Sequence, residues 1–583
     1  MDKYLVKKTL VFVTIILFVG AIFTPNISGE TRNFISEDVL NTIKIENTVQ
    51  DEEQQYSTTT ADEWWPMWRN SPGNDGSSSS IAPNTNLLRW KKRISDEIFS
   101  TAPVIYDDNL YLSTGYFYDM FGPPGMMEEN IFEPPDFNEI INELLTYKDE
   151  YFGGIYCLDA DTGDEKWNYP LYAPNDPLIV NDKVYVTDME IYGYDSSLYC
   201  LDADNGDLLW DTSVGGLAVS PTIGADDKIF FGCLDLWSYS SAVKCYDFDG
   251  AHSWTYYVPG NEIMWFSSPA YDDGKVYFVT TNMYSYFTGK IYCLDAETGS
   301  YLWSQMIGTF FIWQSSPAVK DGKVFVVDSD FFYSYNSYLK CFNADTGAII
   351  WAYPLGMSIC LGSPAVTDDS AFIAALDFWS YNSYMYKINK DSGTLVWKNI
   401  VPGYAYFFSS STPSCSANKI FILPWEYYWY AGTLYCLDGD TGSILWSLSL
   451  DYDTIAYPSI ADEKVFIADM YGTIYAIEDA LKITKVSGGL LSVKAQISNI
   501  GLTDFTSVTW NIDVTGGMLD MVDKHASGSI ATLGAGTSKT VRAFPVMGMG
   551  SIDIQVIVRV PYMTPIVKNL EGIALGLLVI ITS

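Results

Sequence analysis

The chain runs to 583 residues with 33 Lys and Arg against 71 Asp and Glu, a formal charge of -38, and 16% of it is aromatic. That length exceeds one ordinary domain, a field of that sign repels phosphate backbones and excludes nucleic acid as a partner, and the aromatic bias favours strands over helices. With only His252 and His525 present, histidine metal clusters and histidine general bases are nearly excluded.

Lys3, Lys7 and Lys8 precede an apolar run from Leu10 to Phe23, broken by Pro25 and followed by Ser28 and Gly29. That is the order of a secretory signal, and the run is shorter than the roughly 20 residues a spanning helix needs. Residues 1–29 are therefore read as a signal peptide, with an uncleaved anchor as the alternative. No Cys follows the run before Cys157, so no lipid-attachment site is expected. The protein is read as secreted, extracellular or associated with the cell envelope, with no membrane span after cleavage. Residues 30–62 are polar and aperiodic, a disordered linker.

Three marks then recur, eight times each. The first is a Trp (Trp90, Trp167, Trp210, Trp254, Trp303, Trp351, Trp397, Trp446), spaced 43 to 49 residues apart from Trp167 onward. The second is a proline opening a strand: Pro103, Pro177, Pro221, Pro269, Pro317, Pro364, Pro413 and Pro458. The third is a Tyr-Cys-Leu-Asp-like strand near Ile155, Leu198, Val243, Ile291, Leu339, Met385, Leu434 and Ile474. Each unit reads as four antiparallel strands, A (proline), B (Lys-Val-Tyr-Val), C (Tyr-Cys-Leu-Asp) and D (Trp), with the texture of a propeller blade. Asp-rich or Asp-Gly turns join A to B, and Asp-Ala-Asp-Thr-Gly turns join C to D. The units are numbered 1 to 8 by their prolines. Trp90 precedes the first proline strand and the eighth unit lacks a Trp strand, so Leu87–Trp90 is expected to pair with Thr473–Ile477 and close the ring.

The segment Trp64-Trp65-Pro66-Met67-Trp68-Arg69, then Ala82-Pro83, Leu88 and Trp90, with the Asp-x-x-Thr-Gly-x-x-x-Trp signature at Asp159–Trp167, resembles PQQ-like (pyrrolo-quinoline quinone) repeat propellers. The resemblance implies an all-β, eight-bladed β-propeller over residues 63–480. An insertion at 116–152 is expected to hold a helix capped by Asp136 and Glu139 and to act as a lid.

After Asp479 the repeat stops. Ser492–Gln496, Val508–Val514 and Ile552–Val560 alternate apolar and polar residues, and Leu570–Ser583 reads as a final strand. Residues 481–583 are expected to form a β-sandwich that resembles the Ig-like or CARDB-type modules of prokaryotic, including archaeal, surface proteins.

The resemblance includes quinoprotein dehydrogenases, which hold the quinone with adjacent Cys residues and an Arg, and calcium with a catalytic Asp. No two Cys are adjacent here, and no Arg lies between Arg93 and Arg542. No cofactor is expected, PQQ included. The Asp-x-Asp-x-Gly turns resemble the start of a calcium loop but lack its downstream Glu, so plain turns are expected. His252 falls in a C–D turn. Cys157, Cys200, Cys245, Cys293, Cys341 and Cys436 hold one position in successive units, out of disulfide reach of each other; Cys233, Cys360 and Cys415 lie outside that register. No catalytic or metal-binding residue is assigned.

In an A-B-C-D blade the A–B and C–D turns share one end and the B–C and D–A loops the other. The first end is acidic. The second is aromatic, carrying Trp237, Tyr239, Trp265, Phe266, Tyr284, Tyr286, Phe311, Trp313, Phe331, Tyr333, Phe378, Trp379, Tyr404, Tyr406, Trp425, Tyr427 and Trp429. Flat rings with a polar handle suit sugars and peptides. The expected function is a non-catalytic binding or scaffold protein that takes a glycan, peptide or partner protein on this face. The alternative is an extracellular enzyme, either an aberrant quinoprotein dehydrogenase or a carbohydrate-active propeller.

Overall fold

The computed structural model describes residues 64–94, 101–115, 153–189, 195–235, 240–260, 262–264, 267–282, 288–309, 315–330, 336–377, 379–405, 412–416, 418–424, 432–452, 454, 456–501, 504–560 and 565–582. The expected signal peptide, linker and insertion helix lie outside them.

Among the described residues the repeat region forms six sheets of four or five strands and one of eight. Unit 1 shows the pattern, with strands Val104–Tyr106, Asn109–Gly115, Gly153–Asp159 and Glu165–Pro170 paired in A-B-C-D order. The eight-stranded sheet contains units 5 and 6, joined because the long strand Ile349–Ile359 continues past unit 5 to pair Ser358 with Asp377 in unit 6. The pairing expected across the two ends of the region is present. Leu88 lies opposite Ile477 and Arg93 opposite Thr473, antiparallel, in a sheet with the A and B strands Ser459–Ala461 and Lys464–Ala468.

Each recurring mark has a physical cause in the contact between consecutive units. The D-strand Trp is nearly buried, and its indole N–H donates to a carbonyl of the following unit: Trp167 to Ala203, Trp254 to Ala296 and Trp303 to Ala344, each at 2.9 Å. Its ring lies on the turn glycine of that unit. A Cβ on Gly206 would stand 2.6 Å from the Trp167 ring, and one on Gly347 2.6 Å from Trp303. These glycines also hold φ of 76° and 68°, which excludes side chains a second time. Trp90 makes the same contact with unit 1, through Ala160 at 2.9 Å and Gly163. Within each unit a B-strand aromatic packs on the Trp, as Tyr277 does on Trp303 at 6.0 Å.

Beside the prolines, hydroxyls tie one unit to the next. Ser268 N–H donates to Ser316 Oγ at 2.9 Å, Ser316 N–H to Ser363 Oγ at 2.7 Å, and Ser363 N–H to Thr412 Oγ1 at 2.9 Å. Ser414 Oγ donates to the Pro458 carbonyl, and Ser459 Oγ to the Pro103 carbonyl, which carries the series from unit 8 to unit 1. The acidic A–B turns have a local cause. Asp107 and Asp108 hold φ of 47° and 60°, and Asp226 and Asp227 49° and 60°. Two successive left-handed residues are what a two-residue hairpin requires, and Asp tolerates that region.

Two expectations need correction, and one feature was not expected. His252 begins the strand His252–Tyr257 rather than sitting in the turn, because it pairs with Tyr246. The end of the chain is two strands, Ile566–Gly576 and Leu578–Ile581, since Gly576 at φ 68° reverses the backbone. Short strands Leu217–Ala218 and Glu262–Ile263, which the sequence did not suggest, extend the D–A connections of units 2–3 and 3–4 onto the next B strand.

Residues 481–582 form two antiparallel sheets, one of three strands and one of five, whose buried faces share one core built from Val493, Ile497, Val508, Ile512, Val556 and their neighbours. The domain abuts unit 8. Leu87 packs against its core, Arg89 donates to the Ile500 carbonyl at 2.5 Å, and Lys482 pairs with Glu463 at 2.8 Å.

Candidate functional site

Of the aromatic residues expected on the B–C and D–A end, Trp379 and Tyr404 are described; the others lie outside the described residues. Both belong to unit 6, and the structure brings them to the same end of it. Ser383, which starts the C strand beside Trp379, donates through Oγ to the Gly403 carbonyl at 2.8 Å and accepts from Ala405 N–H at 2.7 Å. Tyr404 is half-buried between those two anchors, whereas Trp379 is 71% exposed.

The turn that carries Trp379 has the hydrogen bonding of the C–D turns. Asp377 Oδ1 accepts from Ser380 N–H and Ser380 Oγ, both at 2.8 Å, as Asp159 Oδ1 accepts from Thr162. Tyr381 N–H returns to the Asp377 carbonyl at 3.0 Å, as Gly163 N–H does to Asp159. Burial works against the ionised Asp377 carboxyl, but the Ser380 hydrogen bonds outweigh it and hold its pKa below the usual value. The left-handed position that glycine fills elsewhere is here Tyr381, at φ 53° and 53% exposed. A bulky residue in that region is strained. The turn therefore carries two exposed rings on a carboxylate-anchored frame, and Trp379 Nε1 meets Met357 Sδ at 3.2 Å. Sequence reasoning missed Tyr381. The signal was available, since Asp377-x-x-Ser380-Tyr381 is the turn signature with tyrosine in place of glycine.

At the other end a segment of the chain runs across the units. Residues 65–80 pass the A strands of successive units in order. Trp65 and Ile105 exchange backbone hydrogen bonds, Ile179 N–H donates to Pro66 at 2.8 Å, Tyr271 to Pro72 and Val319 to Gly73 at 2.7 Å, Val366 to Asp75 at 2.7 Å, and Cys415 to Gly76 at 2.8 Å. Glu463 N–H then donates to Ser80 Oγ at 3.0 Å. Each of these partners lies near the A–B turn of its unit, so the strap sits at that end.

Arg69 on this strap has no exposed surface. Its Nε donates to the Asn74 carbonyl at 3.0 Å, Nη1 to Ser363 at 3.3 Å and Nη2 to Pro364 at 2.5 Å. Burial lowers its pKa to about 10, opposed by Tyr457 and Asp75. Tyr457 interacts electrostatically with both Arg69 and Asp176, and Trp68 packs edge-on to it at 4.7 Å; burial pushes the Asp176 carboxyl up to about 7, and its Oδ1 has no hydrogen-bond partner. The repeat region thus does receive an arginine, from the strap, although none lies in the units themselves. Its donors are taken by backbone carbonyls and face no open space, so it does not fit a quinone carboxylate. The nine cysteines are free and buried, including Cys233, Cys360 and Cys415, and burial raises their thiols, Cys157 to about 12.

Residues 142–233, 239–352, 289–424 and 382–486 match the PQQ_2 repeat family, described as outer membrane protein assembly factor BamB. No curated protein matches the chain. Among solved structures, BamB from Moraxella catarrhalis is 13% identical, covering 67% of this chain and 99% of its own, with a TM-score of 0.44. A quinohemoprotein alcohol dehydrogenase from Comamonas testosteroni is 13% identical, covering 71% and 80%, with a TM-score of 0.50, a likeness of fold alone. The family match spans more than half of the chain, so this protein belongs to the BamB-type PQQ repeat family.

Proposed function

We propose that this is an exported cell-envelope protein whose eight units close into one ring, and that it binds a partner protein, peptide or glycan on the B–C and D–A end without catalysing a reaction. Three features support the ring. Residues 65–80 can reach at most about 55 Å fully extended, yet they touch the A strands of units 1, 2, 4, 5, 6 and 7 and the A–B turn of unit 8 in that order. Unit 8 bonds to unit 1 through Ser459, and Trp90 docks on Gly163. The C-terminal domain is read as an Ig-like sandwich carried by the ring.

The observation that carries the binding role is the unit 6 turn, where a strained Tyr381 and a 71% exposed Trp379 stand on a fixed frame at the end opposite the strap. Strain without burial is poorly explained by folding and well explained by recognition. Membership in a family described as an assembly factor supports a protein partner over a substrate. The test is binding of the purified protein to peptide and glycan arrays and to isolated envelope fractions, comparing the unaltered chain with a Trp237→Ala, Trp313→Ala, Trp379→Ala triple variant. Loss of binding with an unchanged melting curve is expected; normal binding by the variant refutes this face.

A further inference from the structure

The eight strands of the C-terminal domain alternate in direction, so four of their connections meet at the end away from Leu481, where the chain enters from the repeat region. The connections are residues 488–491, 517–521, 544–550 and 575–578. Contacts join them. Leu490 bridges to Leu578, Leu491 N–H donates to the Leu577 carbonyl at 2.6 Å, Val546 N–H to Leu491 at 2.9 Å, and Met549 lies opposite Leu575 in the sheet.

This tip is apolar and unburied. Leu490 is 70% exposed, Met518 63%, Leu519 83%, Met521 70%, Met547 53% and Leu577 52%. Asp520 is the single charged residue in the four segments, in a chain that is 18% charged. Leu519 also holds φ 58°, so the fold strains a leucine there and buries almost none of it. An exposed apolar patch of this size on a soluble domain marks an interaction site.

We propose that this tip inserts into the surface of a lipid bilayer. The placement suits lipid, because the exposed residues sit at or beside the turns of one end of the domain. The composition suits it too. The segments contain no Trp, Tyr or Arg, the residues that dominate protein hot spots, although the chain as a whole holds 43 Tyr. They also contain no Lys, the guanidinium beside them, Arg542, is stacked on the Phe544 ring at 4.8 Å, and the chain is strongly acidic, so a zwitterionic surface is the one that fits. The amino-terminal apolar run brings the chain to a membrane. The stretch between Phe23 and Trp64 is long enough, on the order of 130 Å extended, for a tip on the folded part to return to that surface even if the run stays inserted.

The experiment places an environment-sensitive fluorophore on the full-length protein at Met547→Cys in the tip or at Ala535→Cys in the turn at the opposite end of the domain. The native cysteines are buried and escape labelling. Phosphatidylcholine vesicles containing a lipid-chain quencher should blue-shift and quench the tip label and leave the Ala535→Cys label unchanged, with little dependence on salt. Adding Leu519→Asp and Met521→Asp should weaken that quenching about tenfold or more, since each change replaces buried apolar area with a charge. Vesicles that bind the protein while the tip label stays in water would show that only the amino-terminal run inserts, and would overturn the proposal. A blue shift that appears without vesicles and grows with protein concentration would assign the tip to a second copy instead, and overturn it equally.

Discussion

The repeat region and the C-terminal domain treat large apolar side chains in opposite ways. In the repeat region each recurring ring has an assigned neighbour, a glycine turn, a carbonyl and a B-strand aromatic, supplied by its own unit or the next. The aliphatic residues left outside are half-exposed pairs such as Ile349 and Ile350, directly before the buried Trp351. The C-terminal domain packs its core in the same manner but leaves large apolar side chains at one end mostly exposed. Repetition of an apolar residue in this chain therefore reports packing. Apolar residues that do not repeat, and that sit in strained turns, report contact with something outside the chain.

If the repeat region is held by the strap, the largest effect of any single change there falls on Arg69. Arg69→Ala would leave the Asn74, Ser363 and Pro364 carbonyls buried without donors. The expected cost is about 4 kcal/mol or more in urea unfolding, with faster proteolysis near residue 80. Arg69→Lys should rescue little, because one ammonium cannot reproduce the guanidinium fork. A loss below about 1 kcal/mol would mean that the strap is ornamental to stability.

Asp176, which interacts with Tyr457, gives a test through pH. Burial holds its carboxyl at about 7, whereas in the unfolded chain it ionises near ~3.9. The folded form keeps the proton longer, so this group's contribution is fully present below the lower value and is lost as pH rises through the higher one. Asp176→Asn removes that loss. Its stability relative to the unaltered protein should rise by about 2–3 kcal/mol between pH 5 and pH 8. A constant difference across that range would place Asp176 in water.

Gly206→Ala tests the docking between units. The added carbon meets Trp167 at a φ of 76°, and a cost of about 2 kcal/mol is expected in thermal unfolding. The equivalent substitution at Gly274, where no atom lies within 4 Å, should cost only the strain of its φ of 73°, about 1 kcal/mol.

Much of this was legible in the sequence, because repetition writes a contact many times over. The positions of Trp, Pro and the turn glycines located the strands, and the missing eighth Trp strand foretold the pairing of Leu88 with Ile477. The strap was not legible. Trp64–Arg69 occurs once, and the contacts of Arg69 with Ser363 and Pro364 span 294 and 295 residues, so no local pattern announces them. Tyr381 was hidden because the turn signature was sought by its glycine. The tip was hidden because four separate turns of ordinary composition become a patch only when alternating strands bring them together.

The smallest effect expected is at Leu519, and it is the one that most sharply separates the two regions. A leucine at φ 58° costs roughly 1 kcal/mol in backbone strain, and at 83% exposure it recovers little by burial. Asparagine tolerates that backbone and loses no packing, so Leu519→Asn should leave stability within about 0.5 kcal/mol or raise it slightly. The result to look for is an unchanged or higher melting temperature beside an unchanged near-ultraviolet spectrum. A drop of more than about 1 kcal/mol would mean that Leu519 packs within the fold after all. The tip would then follow the rule of the recurring rings of the repeat region, which pack on neighbours in the same chain.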